Sequence, residues 1–324
     1  MTRSIFYSAL IICLLLFTFD SKIDAFAKEK KIEVYLVGAI HNMHLKDNYH
    51  YSMTNMLEQI SKINPDIVCG EITPEGFNTP LEGYFPPEAA MLAQIADSLH
   101  YKFIPADWRV DFKTQQEAEK RYPDKVTKQI ESIPGWNWVQ TYNDSCQSVY
   151  DHIHNYKTIK TIDTIYQIIT SDSIADIAHG AWLERNKRIV ATGMSAAKVA
   201  AIHSSSDKKP LRIVFVFGVD HISRLIRELK EYNVEIIIPD RAFEVTKSET
   251  TSLENKKCMA VNKNCIVVNK NWDNLLNRWK RNLENLKAIR DRKIDIGENY
   301  YLKIINSKRI KDLEEVINYY SSDK

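Results

Sequence analysis

The sequence is poor in glycine, with 9 in 324 residues, and it has no excess of either charge. Its 44 Lys and Arg stand against 42 Asp and Glu, a net +2 with histidine neutral. That balance creates no field to draw in a polyanion, so no nucleic-acid partner is expected. None of the five cysteines forms a Cys-x-x-Cys, which removes zinc ribbons and dithiol redox motifs. No phosphate loop or dinucleotide fingerprint occurs. The nearest approach to a Gly-x-Ser-x-Gly elbow is Gly193-Met194-Ser195-Ala196-Ala197, which lacks the second glycine. The apolar run Ile5 to Phe19 falls short of the ~20 residues a membrane span needs.

That run follows Arg3 and precedes Ala25-Phe26-Ala27, a small-x-small cleavage signature. Residues 1–27 therefore read as a signal peptide, and the chain as exported, periplasmic or secreted. Ile12 before Cys13 argues against a lipid anchor. After cleavage Cys69, Cys146, Cys258 and Cys265 remain. Cys258 and Cys265 flank Asn262-Lys263-Asn264 and could pair across a turn, whereas Cys69 lies in an apolar run and looks buried.

With 44% hydrophobic and 27% charged residues the chain is globular. Five short apolar runs read as buried parallel strands: Glu33–Val37, Asp66–Cys69, Lys102–Ile104, Arg212–Phe217 and Val234–Ile238. Helical spacing covers Tyr51–Ile63, Pro87–Leu99 and Ile222–Tyr232. The alternation predicts an α/β fold, a mostly parallel sheet flanked by helices. It stops over residues 111–206, which read as a helical insertion, either a cap over the sheet edge or a cover for one face. Pro134-Gly135-Trp136-Asn137-Trp138 marks an aromatic turn within it. Residues 28–240 form the α/β domain, with 24 basic against 28 acidic residues, a net −4. Residues 241–324 form a basic C-terminal extension, 18 against 12 and thus net +6. The extension is expected to be α+β. A hairpin is expected near Asn262-Lys263-Asn264, then a helix with Trp272, Leu275, Trp279, Leu283 and Leu286 on one face, then a last helix near Ile310–Tyr319.

Four strands end in polar signatures: Gly38-Ala39-Ile40-His41, Gly70-Glu71, Asp107-Trp108-Arg109 and Gly218-Val219-Asp220-His221. Ligands of open parallel sheets bind outside the carboxyl ends of strands. Strands lie about 5 Å apart, so these groups should converge on one rim. His41 and His221 with Glu71 have the donor types of a divalent transition-metal site. His44 and His50 follow His41 closely but are weaker candidates. Asp220 is expected to cap the helix after it. Arg185 and Asn186 extend an inward helix face, from which Arg185 could clamp a carboxylate or phosphate.

Together these motifs resemble the TraB/GumN family, in the superfamily of Tiki proteases, ChaN-like haem-uptake proteins and erythromycin esterases. The matching residues are Gly38–His41, Gly70 and Glu71, Asp107 and Arg109, Arg185 and Asn186, and Gly218–His221. The resemblance spans residues 32–240 and implies a shared α/β fold and a divalent-metal-dependent hydrolase of peptide or ester bonds. The metal, Mn, Co, Zn or Fe, would be held by His41, Glu71 and His221. Glu71 or Asp107 would act as base and Arg185 would steady the developing oxyanion. The competing expectation is a non-enzymatic haem- or peptide-binding protein, in which Trp136, Trp138 and Tyr142 matter more than the carboxylates. A scaffold or immunity role is a third.

Overall fold

The computed structural model describes residues 30–142, 148–203, 209–245, 265–294 and 307–321. The leader 1–27, the turn at Asn262–Asn264 and the pairing of Cys258 with Cys265 lie outside them. Strand β1 (Ile32–Ala39) runs into two 3₁₀ turns, His41–Leu45 and Asp47–Tyr49. Helix α1 (Met53–Ile63) follows. Ser52 starts it with a capping box: Ser52 Oγ accepts from Asn55 N–H, and Asn55 Oδ1 accepts from Ser52 N–H. Asn64 ends it in the left-handed conformation. Strand β2 (Ile67–Gly70), helix α2 (Pro87–Ile95) and strand β3 (Lys102–Pro105) complete this half.

Seven helices then lead to β4, with no strand among the described residues of 111–206. They are α3 (Phe112–Glu119), α4 (Asp124–Glu131), α5 (Trp138–Thr141), α6 (Val149–His154), α7 (Tyr156–Thr170), α8 (Ser173–Ala178) and α9 (Trp182–His203). The helices divide into two groups. Helices α6 and α9 pack on the sheet, while Val126, Ile165, Ile169 and Ala175 from α4, α7 and α8 form a second small core. Strand β4 (Leu211–Gly218), helix α10 (Ile222–Leu229) and strand β5 (Glu235–Ile237) end the α/β unit.

The sheet is wholly parallel, in the order β3-β2-β4-β1-β5. Late in sequence, β4 slots between β2 and β1, register Ile67↔Ile213 on one side and Val34↔Ile213 on the other. Ile213, Val214, Phe215, Val216 and Phe217 are all buried, as a strand covered on both faces requires. Every strand presents its carboxyl end to the same edge.

The C-terminal extension is part of the same core. Helix α11 (Cys265–Arg290) buries Trp272, Leu275, Trp279, Leu286 and Ile289 against α2 and the Glu82–Tyr84 turn. Helix α12 (Ser307–Ser321) packs on α11 and brings the buried Tyr320 ring 4.8 Å from Trp272 and 5.7 Å from Trp279. Among its described residues the extension holds two helices and no strand. Among the described residues no helix is long and apolar enough to cross a membrane.

Candidate active site at the carboxyl edge of the sheet

Glu71 stands at the centre of the rim, 6% exposed. Its Oε2 accepts the Gly218 N–H at 2.7 Å, and its Oε1 accepts Arg185 Nη2 at 3.0 Å. His41 Nε2 lies 3.8 Å from Oε2, His221 Nε2 3.9 Å from Oε1, and Arg109 Nη2 3.6 Å from Oε1. The ends of β1, β2, β3 and β4 thus meet helix α9 at one carboxylate. Burial alone would raise the Glu71 pKa. His41, His221, Arg185 and Arg109 outweigh it and hold the carboxyl well below the usual range.

Gly218 makes the approach possible. A Cβ there would sit 2.8 Å from His41 Nε2 and 3.3 Å from Glu71 Oε2. Gly38 and Gly70 instead admit packed side chains, Ile222 and Phe103.

Asp107 is buried behind Glu71. Arg185 forks onto it, Nε to Oδ1 at 2.7 Å and Nη2 to Oδ2 at 3.0 Å. Arg109 Nε donates to Oδ2 at 2.8 Å, and the Trp108 N–H to Oδ1. Burial opposes ionisation of Asp107, but Arg109 and Arg185 overcome it and lower its pKa. A carboxylate so occupied is a poor proton acceptor. Arg185, expected as a buried or rim clamp for a carboxylate or phosphate, is buried and clamps the chain's own Asp107 and Glu71, while Arg109 is more exposed.

The two histidines differ in state. His41 has φ +51°, a conformation rare for a side-chain-bearing residue and common where function demands strain. Its ring is 38% exposed, and Nδ1–H donates to Glu88 Oε1 at 2.6 Å. Burial disfavours its charge, but Glu88 and Glu71 prevail and raise the pKa to about 9. His221 is buried against the Trp182 ring at 4.2 Å. Asn186 donates through Nδ2 to the Trp182 carbonyl, so its Oδ1 accepts the His221 Nδ1 proton at 2.7 Å. That leaves His221 Nε2 unprotonated toward Glu71. Burial and then Arg185 push its pKa down to about 3.

An unprotonated Nε2 and a carboxylate oxygen 3.9 Å apart are two acceptors facing each other, a place suited to a cation. Both imidazoles have Nδ1 tied to an outer partner, the second-shell arrangement of metal-ligating histidines. The donor types therefore fit a divalent ion. Among the described residues, however, no group of three or more His, Cys, Asp or Glu side chains already stands at coordinating geometry.

Glu88 is the participant that sequence reasoning missed. It lies in the first turn of α2, 2% exposed, with Oε2 unpartnered among the described residues. The signal was an acid on an otherwise nearly apolar helix, Pro87-Glu88-Ala89-Ala90-Met91-Leu92. His44 instead locks the turn: its Nε2 accepts the Ile40 N–H and its Nδ1–H donates to the Tyr51 carbonyl. His50 takes the left-handed conformation, and its carbonyl accepts Ser148 Oγ–H. Asp220 does not cap α10. Its carboxylate accepts the Tyr166 hydroxyl at 3.2 Å, because the 3₁₀ turn Val219–His221 leads directly into the helix. Trp136 and Trp138 line a cleft beside Asp220, while Tyr142 reaches the Asn48 carbonyl. Cys69 is a buried free thiol.

Comparison with family models, with curated proteins and with solved structures finds no match to the chain.

Proposed function

We propose that the chain is an exported hydrolase of the TraB/GumN type. It would cleave a peptide or ester bond at the carboxyl edge of the sheet, using a divalent ion held by His41, His221 and Glu71. The observation that carries this reading is the pairing of two imidazole Nε2 atoms, from two strand ends, with the two oxygens of one buried carboxylate.

The states of the side chains support it. No rim group is a ready general base. Glu71 and Asp107 are held ionised by arginines, His41 keeps its proton at neutral pH, and His221 accepts one only near pH 3. A divalent ion held there would supply Lewis acidity and lower the pKa of a water to about 7. Glu88 holds the Nδ1 proton of His41, so that Nε2, once a bound cation displaced its proton, would be the nitrogen free to ligate. Asn186 holds the Nδ1 proton of His221. Arg185 keeps Glu71 and Asp107 in place. Arg109, set between both carboxylates and the open side of the rim, is the guanidinium that can meet a developing oxyanion.

Elemental analysis of the purified chain beside His41→Ala and His221→Ala tests this. Near-stoichiometric Mn, Co, Zn or Fe in the parent, lost in both folded variants, is the expected result. Peptide and ester hydrolysis should disappear with it. A metal-free chain after reconstitution with each ion, with hydrolysis absent or unchanged in the variants, would sink the proposal. The binding-protein reading would then lead.

A further inference from the structure

A cleft of about 400 Å³ opens between helices α4, α5 and α7 and the end of β4. Its walls include Trp136, Trp138, Ile162 and Tyr166. Trp136 is 40% exposed at its mouth, a large apolar surface left to solvent. The cleft adjoins the rim through a shared wall of aromatic rings. Tyr166 stacks on Trp182 with centroids 4.0 Å apart and planes 16° apart, and Trp182 in turn covers His221 at 4.2 Å. The wall of the cleft is thus the outer layer of a three-ring stack whose inner layer is His221. Asp220, the residue before His221, lines the cleft and accepts the Tyr166 hydroxyl. The lining carries two carboxylates, Glu131 and Asp220, against one histidine, His179.

We infer that this cleft is a specificity subsite that receives a bulky, uncharged apolar side chain of a peptide substrate, aromatic or branched aliphatic. The inference rests on the hydrolase reading for the word substrate, but its recognition chemistry does not. Indole and isoleucine walls take up apolar surface, and an aromatic guest can stack on the exposed Trp136. The two carboxylates disfavour a guest that brings its own negative charge. Asp220 lines the cleft and precedes His221 in the chain, so the guest would lie on the His221 side of the rim.

Binding can be read without turnover. The purified chain, with indole nitrogens labelled, is titrated with N-acetyl-phenylalanine amide, N-acetyl-alanine amide and N-acetyl-phenylalanine. Saturable shifts at Trp136 and Trp138 with the phenylalanine amide alone are expected, while Trp272 and Trp279 under the C-terminal helices stay unmoved. Trp136→Ala should weaken that binding about tenfold. Glu71→Gln should leave it within about twofold while lowering hydrolysis about a hundredfold. Binding retained in a chain without hydrolytic activity would break the hydrolase reading and keep the cleft's chemistry. Three results would overturn the subsite: no shift at Trp136 and Trp138, equal shifts with the alanine amide, or affinity unchanged in Trp136→Ala. Haem binding in the same cleft, seen as a Soret band lost in Trp136→Ala, would overturn it as well.

Discussion

Two buried Glu–Arg networks can be compared in this molecule. Beneath the C-terminal helices, Arg278 forks onto Glu82, Nε to Oε1 and Nη2 to Oε2, both at 2.7 Å. Asn282 adds a donor to Oε1, the Asn78 N–H adds one to Oε2, and Asn78 Oδ1 and Gln94 Oε1 accept from Arg278. The Phe77 ring lies 5.5 Å from the guanidinium. This network is closed. At the rim, Arg185 also bonds a buried glutamate, yet valence is left over. Glu88 Oε2 is unpartnered among the described residues, His221 Nε2 faces a carboxylate without a proton between them, and His41 is strained. Burial of an ion pair alone therefore does not mark a functional site. Unsatisfied groups gathered around one do.

The sharpest way to separate the two networks is to break the closed one. Arg278→Ala leaves Glu82 buried and unpaired, which costs roughly 4 kcal/mol. Urea unfolding should record that loss while hydrolysis per folded molecule stays as in the parent. A large fall in activity per folded molecule would mean that the C-terminal helices act on the rim, through the Trp279 bond to the Pro87 carbonyl and Glu88 beyond it.

Acid should dissolve the rim side first. His44 and His154 are buried and neutral, with burial pushing each to about 4 from an ordinary 6.5. A histidine with a depressed folded pKa contributes stability that is present above 6.5. It is lost as pH falls from 6.5 to 4 and does not change further below that. Each can contribute up to roughly 3 kcal/mol over this window. The bonds at risk are Gly38 N–H to His154 and Ile40 N–H to His44, both on the segment leading to His41. Amide exchange of β1's carboxyl end should therefore accelerate between pH 6.5 and 4 before that of α11. Equal acceleration in both would break the contrast.

On the proposed hydrolase reading, Glu71→Gln is expected to lower hydrolysis about a hundredfold and to weaken metal binding. It also takes a counter-charge from Arg185 and Arg109, so activity is compared per folded molecule. Gly218→Ala is a smaller probe of the same centre. Its methyl group meets His41 Nε2, and about a tenfold loss is expected with the fold retained. Unchanged kinetics in Gly218→Ala would mean that His41 moves away without consequence, and it would leave Glu71 and His221 as the working pair.

Much of the α/β frame was legible in the chain. All five strands fall on the apolar runs. The inner strands β2 and β4 are apolar because both faces are covered, whereas the edge strands β3 and β5, also expected to be buried, have no buried residue. Helices α1, α2, α10, α11 and α12 fall on their apolar spacings. The rim residues were legible for a related reason. A polar side chain at the end of a buried strand is a local pattern, and parallel strands must bring such ends together.

The rest was decided by contacts between residues far apart in sequence. Local pattern cannot say that β4 enters between β2 and β1, since pairing partners are chosen by three-dimensional fit among equally apolar strands. It cannot say that Arg185 binds Asp107, 78 positions away, or that His41 is held by Glu88, 47 away. Nor could charge arithmetic show that the basic C-terminal helices share the core through Trp272 and Trp279, because net charge describes the outer face and packing the inner one. The amino-acid sequence by itself determined which elements form and which groups reach the rim. Tertiary structure alone decided their order, their partners and hence their protonation states, because the electrostatic environment of a buried group is set by what the fold packs against it.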